Sequence, residues 1–253
     1  MLTRILRNKE EIYLRRFSLQ VFQDSKVAEQ MMTRACEIIR HFTENSSIKD
    51  LTSEENDVLL EEFNIYRNPS WIMMKGAAGL TMGGSRIALA DIPEGIGIAN
   101  TSLGEICWDR EAGPEVILTI ENLTSFHQWK SDFTKTKTVL CIYLGGYANH
   151  VKRAFLKELS DTFPEALFYH FGDIDCGGFM IWKTLCEGTG IPFRLFHMGM
   201  AEYEKYLPYG KALTERDRKR LEAMRQDPFF ARQQELFERM LREGKKLEQE
   251  CMD

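Results

Sequence analysis

Two aspartates one residue apart end a predicted buried strand of this chain. In YHFGDIDCGGF, residues 169–179, Asp173 and Asp175 follow an aromatic strand and precede Gly177 and Gly178. Side chains alternate along an extended backbone, so both carboxylates point to one face while the residue between them points into the core. Two such charges about 4 Å apart repel each other by on the order of 4 kcal/mol at an effective dielectric constant near 20. Either water or a cation must offset that repulsion.

A third carboxylate, Glu121, ends the predicted strand EVILTIE. Active sites of open parallel sheets lie at the carboxyl ends of the strands. If the strands that precede Glu121 and Asp173 are neighbours, then Glu121, Asp173 and Asp175 converge and can hold Mg²⁺ or Mn²⁺, since hard cations take carboxylate oxygens. Such an ion activates a nucleophile and neutralises charge on a transferring phosphoryl group. Two plainer interpretations stay open: a solvated loop, or capping of the helix expected after Gly178.

The elements that position these carboxylates alternate between strand and helix from residue 115 onward. The apolar runs EVILTIE, TVLCIYLGG, ALFYHFGDID and FRLFHMG predict strands, and NHVKRAFLKELSDTF and FMIWKTLCEGTG predict helices between them. Strand–helix–strand order with nearly continuous apolar strands predicts an α/β fold, with a mostly parallel sheet covered by helices.

Changes in composition divide the chain into four predicted segments. Residues 1–68 are helical, with an amphipathic helix in SKVAEQMMTRACEIIRHF and a second helix in SSIKDLTSEENDVLLEEFNI capped by Thr52 or Ser53. Residues 69–114 are rich in glycine and β-formers and predict short strands and turns. Residues 115–200 carry the α/β alternation, and residues 201–253 form a charged helical tail.

The overall composition excludes several classes of protein. No apolar run approaches the roughly 20 residues that cross a bilayer, and the charged N-terminus lacks the apolar core of a signal peptide, so we expect a cytoplasmic protein without membrane contact. The six cysteines include no C-x-x-C pair, which argues against a zinc ribbon. The net charge of −5 argues against a protein that grips nucleic acid alone, but leaves a local basic face possible.

The order of the motifs resembles the Toprim domain of topoisomerases, primases and several nucleases. A glutamate follows the first strand, Gly-Gly the second and D-x-D-x-G-G the third. YLGGYANHVKRAFLKEL and YHFGDIDCGGFMIWKTL resemble the Toprim region of the type IIB topoisomerase A subunit. RRFSLQVFQDSKVAEQMM, NPSWIMMKG and LTIENLTSF resemble the carboxyl-terminal part of the Wadjet anti-plasmid nuclease subunit, over about residue 14 to the end. Cys176 stands where such proteins often have proline.

The resemblance implies a function and partners. Glu121, Asp173 and Asp175 would gather Mg²⁺ or Mn²⁺, with Glu121 as a metal ligand or general acid/base. The protein would be a homodimeric endonuclease that cleaves double-stranded plasmid DNA beside a condensin-like complex of structural-maintenance-of-chromosomes (SMC) type. Two alternatives remain: a non-catalytic Toprim-fold module that binds DNA or a partner, and a topoisomerase-like transesterase with Tyr13 or Tyr66 as nucleophile.

Basic residues supply candidate DNA contacts. Lys211, Arg216 and Lys219 lie at the start of the tail and could follow a DNA backbone, as could a cluster at Lys130, Lys135 and Lys137. A solvated helix face explains the tail cluster equally, since acidic residues flank it.

Three further polar residues have open roles. Asn122 either caps the helix that follows or orients Glu121, and His150 either contacts phosphate or begins a helix. His170 is expected to be buried with a hydrogen-bond partner.

Overall fold

A computed structural model describes residues 1–43, 56–68, 70–130 and 138–252. The chain divides into two compact units: Met1–Trp71 with Asn149–Lys152, and Ile72–Ala148 with Arg153–Asp253. Among the described residues, no helix combines the length and apolar character that crossing a membrane requires.

Helices dominate the first unit, as the sequence predicts. The unit contains α1 (Leu2–Arg7), β1 (Ile12–Tyr13), α2 (Leu14–Phe22), α3 (Val27–Phe42), α4 (Asn56–Glu61) and β2 (Ile65–Tyr66). The two short strands pair in parallel. Helix α3 buries one stripe of side chains, which confirms the predicted amphipathic helix. The second predicted helix is present as α4, and its proposed caps Thr52 and Ser53 lie outside the described residues.

Short strands and turns follow the helices. They are β3 (Trp71–Gly76), β4 (Gly79–Met82), β5 (Ser85–Ala88), β6 (Ile96–Ala99) and β7 (Cys107–Trp108). Strands β5, β4 and β7 form an antiparallel sheet, whereas β3 and β6 join the edge of a larger one. The strands of this region therefore divide between two sheets.

The larger sheet has six strands and carries the α/β alternation. Besides β3 and β6, its strands are β8 (Val116–Ile120), β9 (Val139–Tyr143), β10 (Leu167–Phe171) and β11 (Arg194–Leu195). The helices that connect these strands are α5 (Leu123–Gln128), α6 (His150–Thr162) and α7 (Cys176–Thr189). The strand order is β11-β10-β8-β9-β3-β6; the first four run parallel and β3 runs antiparallel to β9. Every residue of β8 is buried, as a central strand requires. The predicted mixed α/β fold with a mostly parallel sheet is confirmed.

The tail departs from the predicted helices at its end. It contains α8 (Met200–Tyr206), β12 (Lys211–Ala212), α9 (Glu215–Met224), α10 (Gln234–Glu243), β13 (Lys245–Lys246) and a 3₁₀ turn at Gln249–Cys251. Gly244, at φ +67°, ends α10 in the left-handed conformation that favours glycine, and the chain then turns into β13. Strand β13 pairs with β12, so the residues directly after α10 are extended and do not continue the helix.

Candidate active site

The carboxyl end of the central strand β8 places Glu121 between two neighbouring strands. Its backbone N–H donates to the Phe171 carbonyl at the end of β10 (2.9 Å), and its carbonyl accepts from Gly145 after β9 (3.0 Å). The predicted adjacency of the first and third strands of the alternation is therefore present, in register from residue to residue.

Glycine lets the D-x-D motif approach Glu121 closely. The backbone N–H of Asp173 points at Glu121 Oε2, 3.4 Å away. A β-carbon on Gly172 would lie 2.4 Å from the same oxygen, so no other residue fits between Glu121 and Asp173 without a shift. The geometry thus holds residues distant in sequence at one edge of the sheet.

Helix α7 begins directly at the motif. Asp175 is its N-cap and accepts a 2.9 Å hydrogen bond from the Gly178 N–H through Oδ1. The capping interpretation of the sequence is therefore correct for Asp175, although the helix begins at Cys176 and not after Gly178. A β-carbon on Gly178 would lie 2.2 Å from the Asp173 carbonyl oxygen, which explains the glycine at that position.

Burial and the charges of neighbouring acids act together on Glu121 and Asp173. Burial, followed by the charges of Asp173 and Asp175, raises the pKa of Glu121 to about 8. Burial and then the charge of Asp175 raise the pKa of Asp173 to about 7. Both carboxyls therefore sit in surroundings that disfavour their ionised forms, as expected where several acids share a partly buried site.

Residues 246–250, called the C-terminal wall below, line one side of this site. The sequence did not predict this. Ile174, between the two aspartates, pairs antiparallel with Leu247 through backbone hydrogen bonds of 3.0 and 3.1 Å. The Gln249 N–H donates to Asp173 Oδ1 (2.8 Å), and Lys246 Nζ lies 3.7 Å from Asp175 Oδ2. These two groups supply a donor and a positive charge to the aspartates.

The same wall adds a fourth acid beside Glu121. Asn122 donates from Nδ2 to Glu250 Oε1 (2.6 Å), and its backbone N–H donates to Gln249 Oε1 (2.9 Å). Its own Oδ1 accepts from the N–H groups of Thr124 and Ser125, so Asn122 caps α5. The capping role considered for Asn122 is confirmed, and its amide also fixes the C-terminal wall.

The acidic side chains of the described residues do not form a complete coordination sphere. Within the described stretches of the chain, no group of three His, Cys, Asp or Glu side chains converges closely enough to hold a metal ion. One oxygen of Asp173 and one of Asp175 already accept backbone N–H groups. The donor set nevertheless fits a hard divalent cation, since it consists of half-buried carboxylates whose mutual repulsion such an ion would remove.

His170 is buried with a hydrogen-bond partner, as predicted, and His150 begins a helix, which is one of the two roles considered for it. His170 is completely buried on β10, with Nδ1 3.0 Å from Thr119 Oγ1, and burial lowers its pKa to about 3. His150 is the first residue of α6, and its Nε2 lies 2.8 Å from the Tyr66 hydroxyl.

The two tyrosines considered as nucleophiles differ in access. Tyr66 is 2% exposed and held by His150, whereas Tyr13 is 45% exposed. A buried, hydrogen-bonded hydroxyl has no route to a DNA strand, so Tyr66 is explained by packing.

The basic candidates lie on the tail. Arg216 and Lys219 are exposed on α9, three positions apart and hence neighbours on one helix face, and exposed Lys211 on β12 pairs with Glu248. Of the second cluster only Lys130 is described, because Lys135 and Lys137 lie outside the described residues. The role of all these residues in DNA binding stays a prediction.

Comparison with known proteins relates the chain to a protein family and to a curated protein. The family described as "Wadjet protein JetD, C-terminal" matches residues 94–253. The chain is also 28% identical over 254 residues to the Wadjet protein JetD of Bacillus cereus (strain Q1). That alignment covers 99% of this chain and 60% of the relative, so the chain spans about 60% of the length of the relative. The family match includes Glu121, both aspartates and the whole C-terminal wall.

Proposed function

Because the chain belongs to the family of Wadjet protein JetD C-terminal regions, we propose that it is a Mg²⁺-dependent DNA endonuclease of Toprim type, acting in a Wadjet-like defence system. The observation that carries this proposal is the close approach of Glu121 to the backbone of Asp173, which brings three acidic side chains to one edge of the sheet. Carboxylates gathered at the carboxyl ends of parallel strands suit catalysis by a divalent cation.

The residues of the chain have distinct roles in this proposal. Glu121, Asp173 and Asp175 would hold Mg²⁺ or Mn²⁺, which when bound would neutralise charge on the phosphodiester and supply an activated water. Asp173 has a second oxygen available for this purpose, since it is Oδ1 that accepts from Gln249. Asp175 likewise uses Oδ1 for the helix cap, so that its Oδ2, which lies 3.7 Å from Lys246 Nζ, is the oxygen left for the ion. Glu121 would serve either as a ligand of this ion or as the general acid/base of the reaction.

The direct test is plasmid cleavage by the Glu121→Gln variant together with its purified condensin-like partner complex. We expect cleavage to fall roughly 100-fold or more, the scale of a lost acid/base or metal-binding group. The matched control is Glu115→Gln, which removes a charge at the opposite end of the same strand, where the carboxylate accepts from the Thr138 N–H. Cleavage by Glu121→Gln at the rate of this control would refute the proposed site.

One observation favours a second candidate function, a Toprim-fold module that binds DNA or a partner without cutting. The aspartates already have a cation and a backbone donor from the C-terminal wall, so the cluster is partly compensated without an ion. A non-catalytic module would show no thermal stabilisation by Mg²⁺ that depends on Asp173. Stabilisation of the parent chain that is lost in Asp173→Asn would support the nuclease instead.

A transesterase is the third candidate. It requires a protein–DNA covalent adduct through a tyrosine. Of the two candidates only Tyr13 is exposed. An adduct formed by the parent chain and lost in Tyr13→Phe would revive this function.

The partners follow from the same proposal. Double-stranded DNA would be the substrate, and SMC-type subunits would deliver it in the cytoplasm. A homodimer would place one active site at each of the two DNA strands. Light scattering of the purified chain tests the dimer directly, since a mass equal to one chain over the micromolar range would exclude it.

A further inference from the structure

The ammonium group of Lys246 lies between Asp175 of the D-x-D motif and Asp217 of helix α9. Its Nζ is 3.7 Å from Asp175 Oδ2 and 3.2 Å from Asp217 Oδ2. About 24% of its side chain is exposed, so the group is partly covered but reachable from solvent. Its position is fixed by the backbone pairing of the next residue, Leu247, with Ile174.

Neither carboxylate depends on Lys246 alone. Asp175 is also satisfied by the Gly178 N–H that it accepts as an N-cap. Asp217 accepts from the Thr214 backbone N–H at 3.0 Å and from the Thr214 hydroxyl at 2.9 Å, in the capping box of α9. The ammonium can therefore move away without leaving an unpaired buried charge, which a purely structural ion pair would not permit.

The ammonium and a divalent ion would compete for the same oxygen. Asp175 Oδ2 is the oxygen of Asp175 that does not serve the helix cap, and it is the one that faces Lys246. A bound ion would repel a positive charge at this distance and displace it toward solvent and toward any phosphate held at the site. Lysine suits such a change because its flexible stem carries a compact charge with three donors.

We propose that Lys246 is a substrate-binding residue that serves as the internal cation of the site: it pairs with Asp175 before metal binding and contacts the phosphate of the DNA afterwards. This inference rests on the proposed nuclease function and extends it to a residue outside the α/β core. The chemical class recognised is a phosphodiester next to a carboxylate-bound divalent ion.

The test compares Lys246→Met with Lys246→Arg in two assays of the whole chain. The first is Mn²⁺ affinity by calorimetry, and the second is affinity for a short DNA duplex in the presence of Mn²⁺. We expect Lys246→Met to bind Mn²⁺ roughly three- to tenfold more tightly, because a competing charge is gone, and to bind DNA roughly tenfold more weakly. Lys246→Arg should keep DNA affinity near that of the parent chain.

The matched control is Lys245→Met on the same short strand. Lys245 donates to the Leu207 carbonyl (3.1 Å), and its side chain points away from that of Lys246 because neighbours on a strand alternate. It removes the same net charge without touching the aspartates. Equal Mn²⁺ and DNA affinities for Lys246→Met and Lys245→Met would overturn the role of Lys246 and leave the nuclease proposal intact. A parent chain without Asp173-dependent Mn²⁺ binding would overturn both.

A second variant covers the case in which Lys246→Met does not fold. Asp217→Asn keeps the lysine but removes the competing carboxylate, so the ammonium is left entirely to Asp175. We expect Mn²⁺ affinity to fall roughly two- to threefold, the opposite direction to Lys246→Met. Unchanged or tighter Mn²⁺ binding by Asp217→Asn would count against the exchange of cations.

Discussion

Ile174 and Leu247 pair through two backbone hydrogen bonds, and both side chains are buried, with at most 1% exposed. This single antiparallel bridge attaches the end of the chain to the residue between the two aspartates. It also sets the register in which Lys246 reaches Asp175 and Gln249 reaches Asp173. The stability of the chain and the geometry of the acidic cluster are therefore linked at one contact.

The first prediction concerns this contact. Leu247→Ala removes a fully buried side chain, so the free energy of unfolding should fall by about 2–5 kcal/mol in urea denaturation. Because the Gln249 N–H would also lose its place on Asp173, Mn²⁺ affinity should change in the same variant. The control is Leu123→Ala, whose side chain is 41% exposed and whose loss should cost about 0.5 kcal/mol or less. Equal costs for the two variants would mean that the C-terminal wall does not support the fold.

The second prediction concerns the glycine that lets α7 begin against the D-x-D motif. Gly178→Ala would place a β-carbon 2.2 Å from the Asp173 carbonyl oxygen, which is backbone and cannot rotate away. We expect a loss of about 1–3 kcal/mol of stability from overpacking, together with loss of stabilisation by Mn²⁺. Gly104→Ala is the control, because its β-carbon would meet nothing within 4 Å. A Gly178→Ala chain that binds Mn²⁺ normally would contradict the close packing described here.

Local sequence patterns predicted the part of the site that depends on the sheet. Continuous apolar runs identify strands β8 and β10, and each run ends at the acids of the site, Glu121 and Asp173. Parallel pairing then brings these ends together. The glycines after Asp175 marked a turn, but the helix begins three residues earlier than expected because Asp175 itself is the cap.

The C-terminal wall was not predictable in the same way. Gln249 and Asp173 are 76 residues apart, and a two-residue strand has no periodicity that a sequence pattern could reveal. GKKLEQE resembles a solvated charge run, although Gly244 marks the helix end and Leu247 is an apolar residue among charges. Those two residues are the signal that could have located the wall.

The third prediction concerns repulsion within the acidic cluster. Glu121→Gln removes one of three carboxylates that oppose each other, so in metal-free buffer at pH 8 the variant should melt at a higher temperature than the parent chain. With Mn²⁺ the order should reverse, since only the parent chain gains the stabilisation that comes from metal binding. Differential scanning calorimetry with and without chelator measures both. The same increase in melting temperature with Mn²⁺ for both chains would show that Glu121 is not a ligand.

The fourth prediction is a pH dependence that arises from His170. Burial lowers its folded-state pKa to about 3, below the value near 6.5 expected for an unfolded chain. The contribution of His170 to stability is therefore present above pH 6.5 and is lost as pH falls toward 3, with a slope of up to about 1.4 kcal/mol per pH unit. His170→Gln should show a shallower decline in urea denaturation between pH 6.5 and 4.5. If the free energy of unfolding fell with pH at the same rate in both chains, the lowered pKa of His170 would be contradicted.

The fifth prediction concerns the exposed face of α9. Arg216 and Lys219 lie three positions apart on one side of this helix, so both can approach the same DNA backbone. The double variant Arg216→Ala/Lys219→Ala should weaken DNA binding uniformly across sequences and reduce the slope of log affinity against log salt by about 2. Arg110→Ala is the control, an exposed arginine that precedes β8 at the end opposite Glu121. If the control lowers the slope as much as the double variant does, the effect comes from net charge alone. The exposed face of α9 would then be solvated and would not contact DNA.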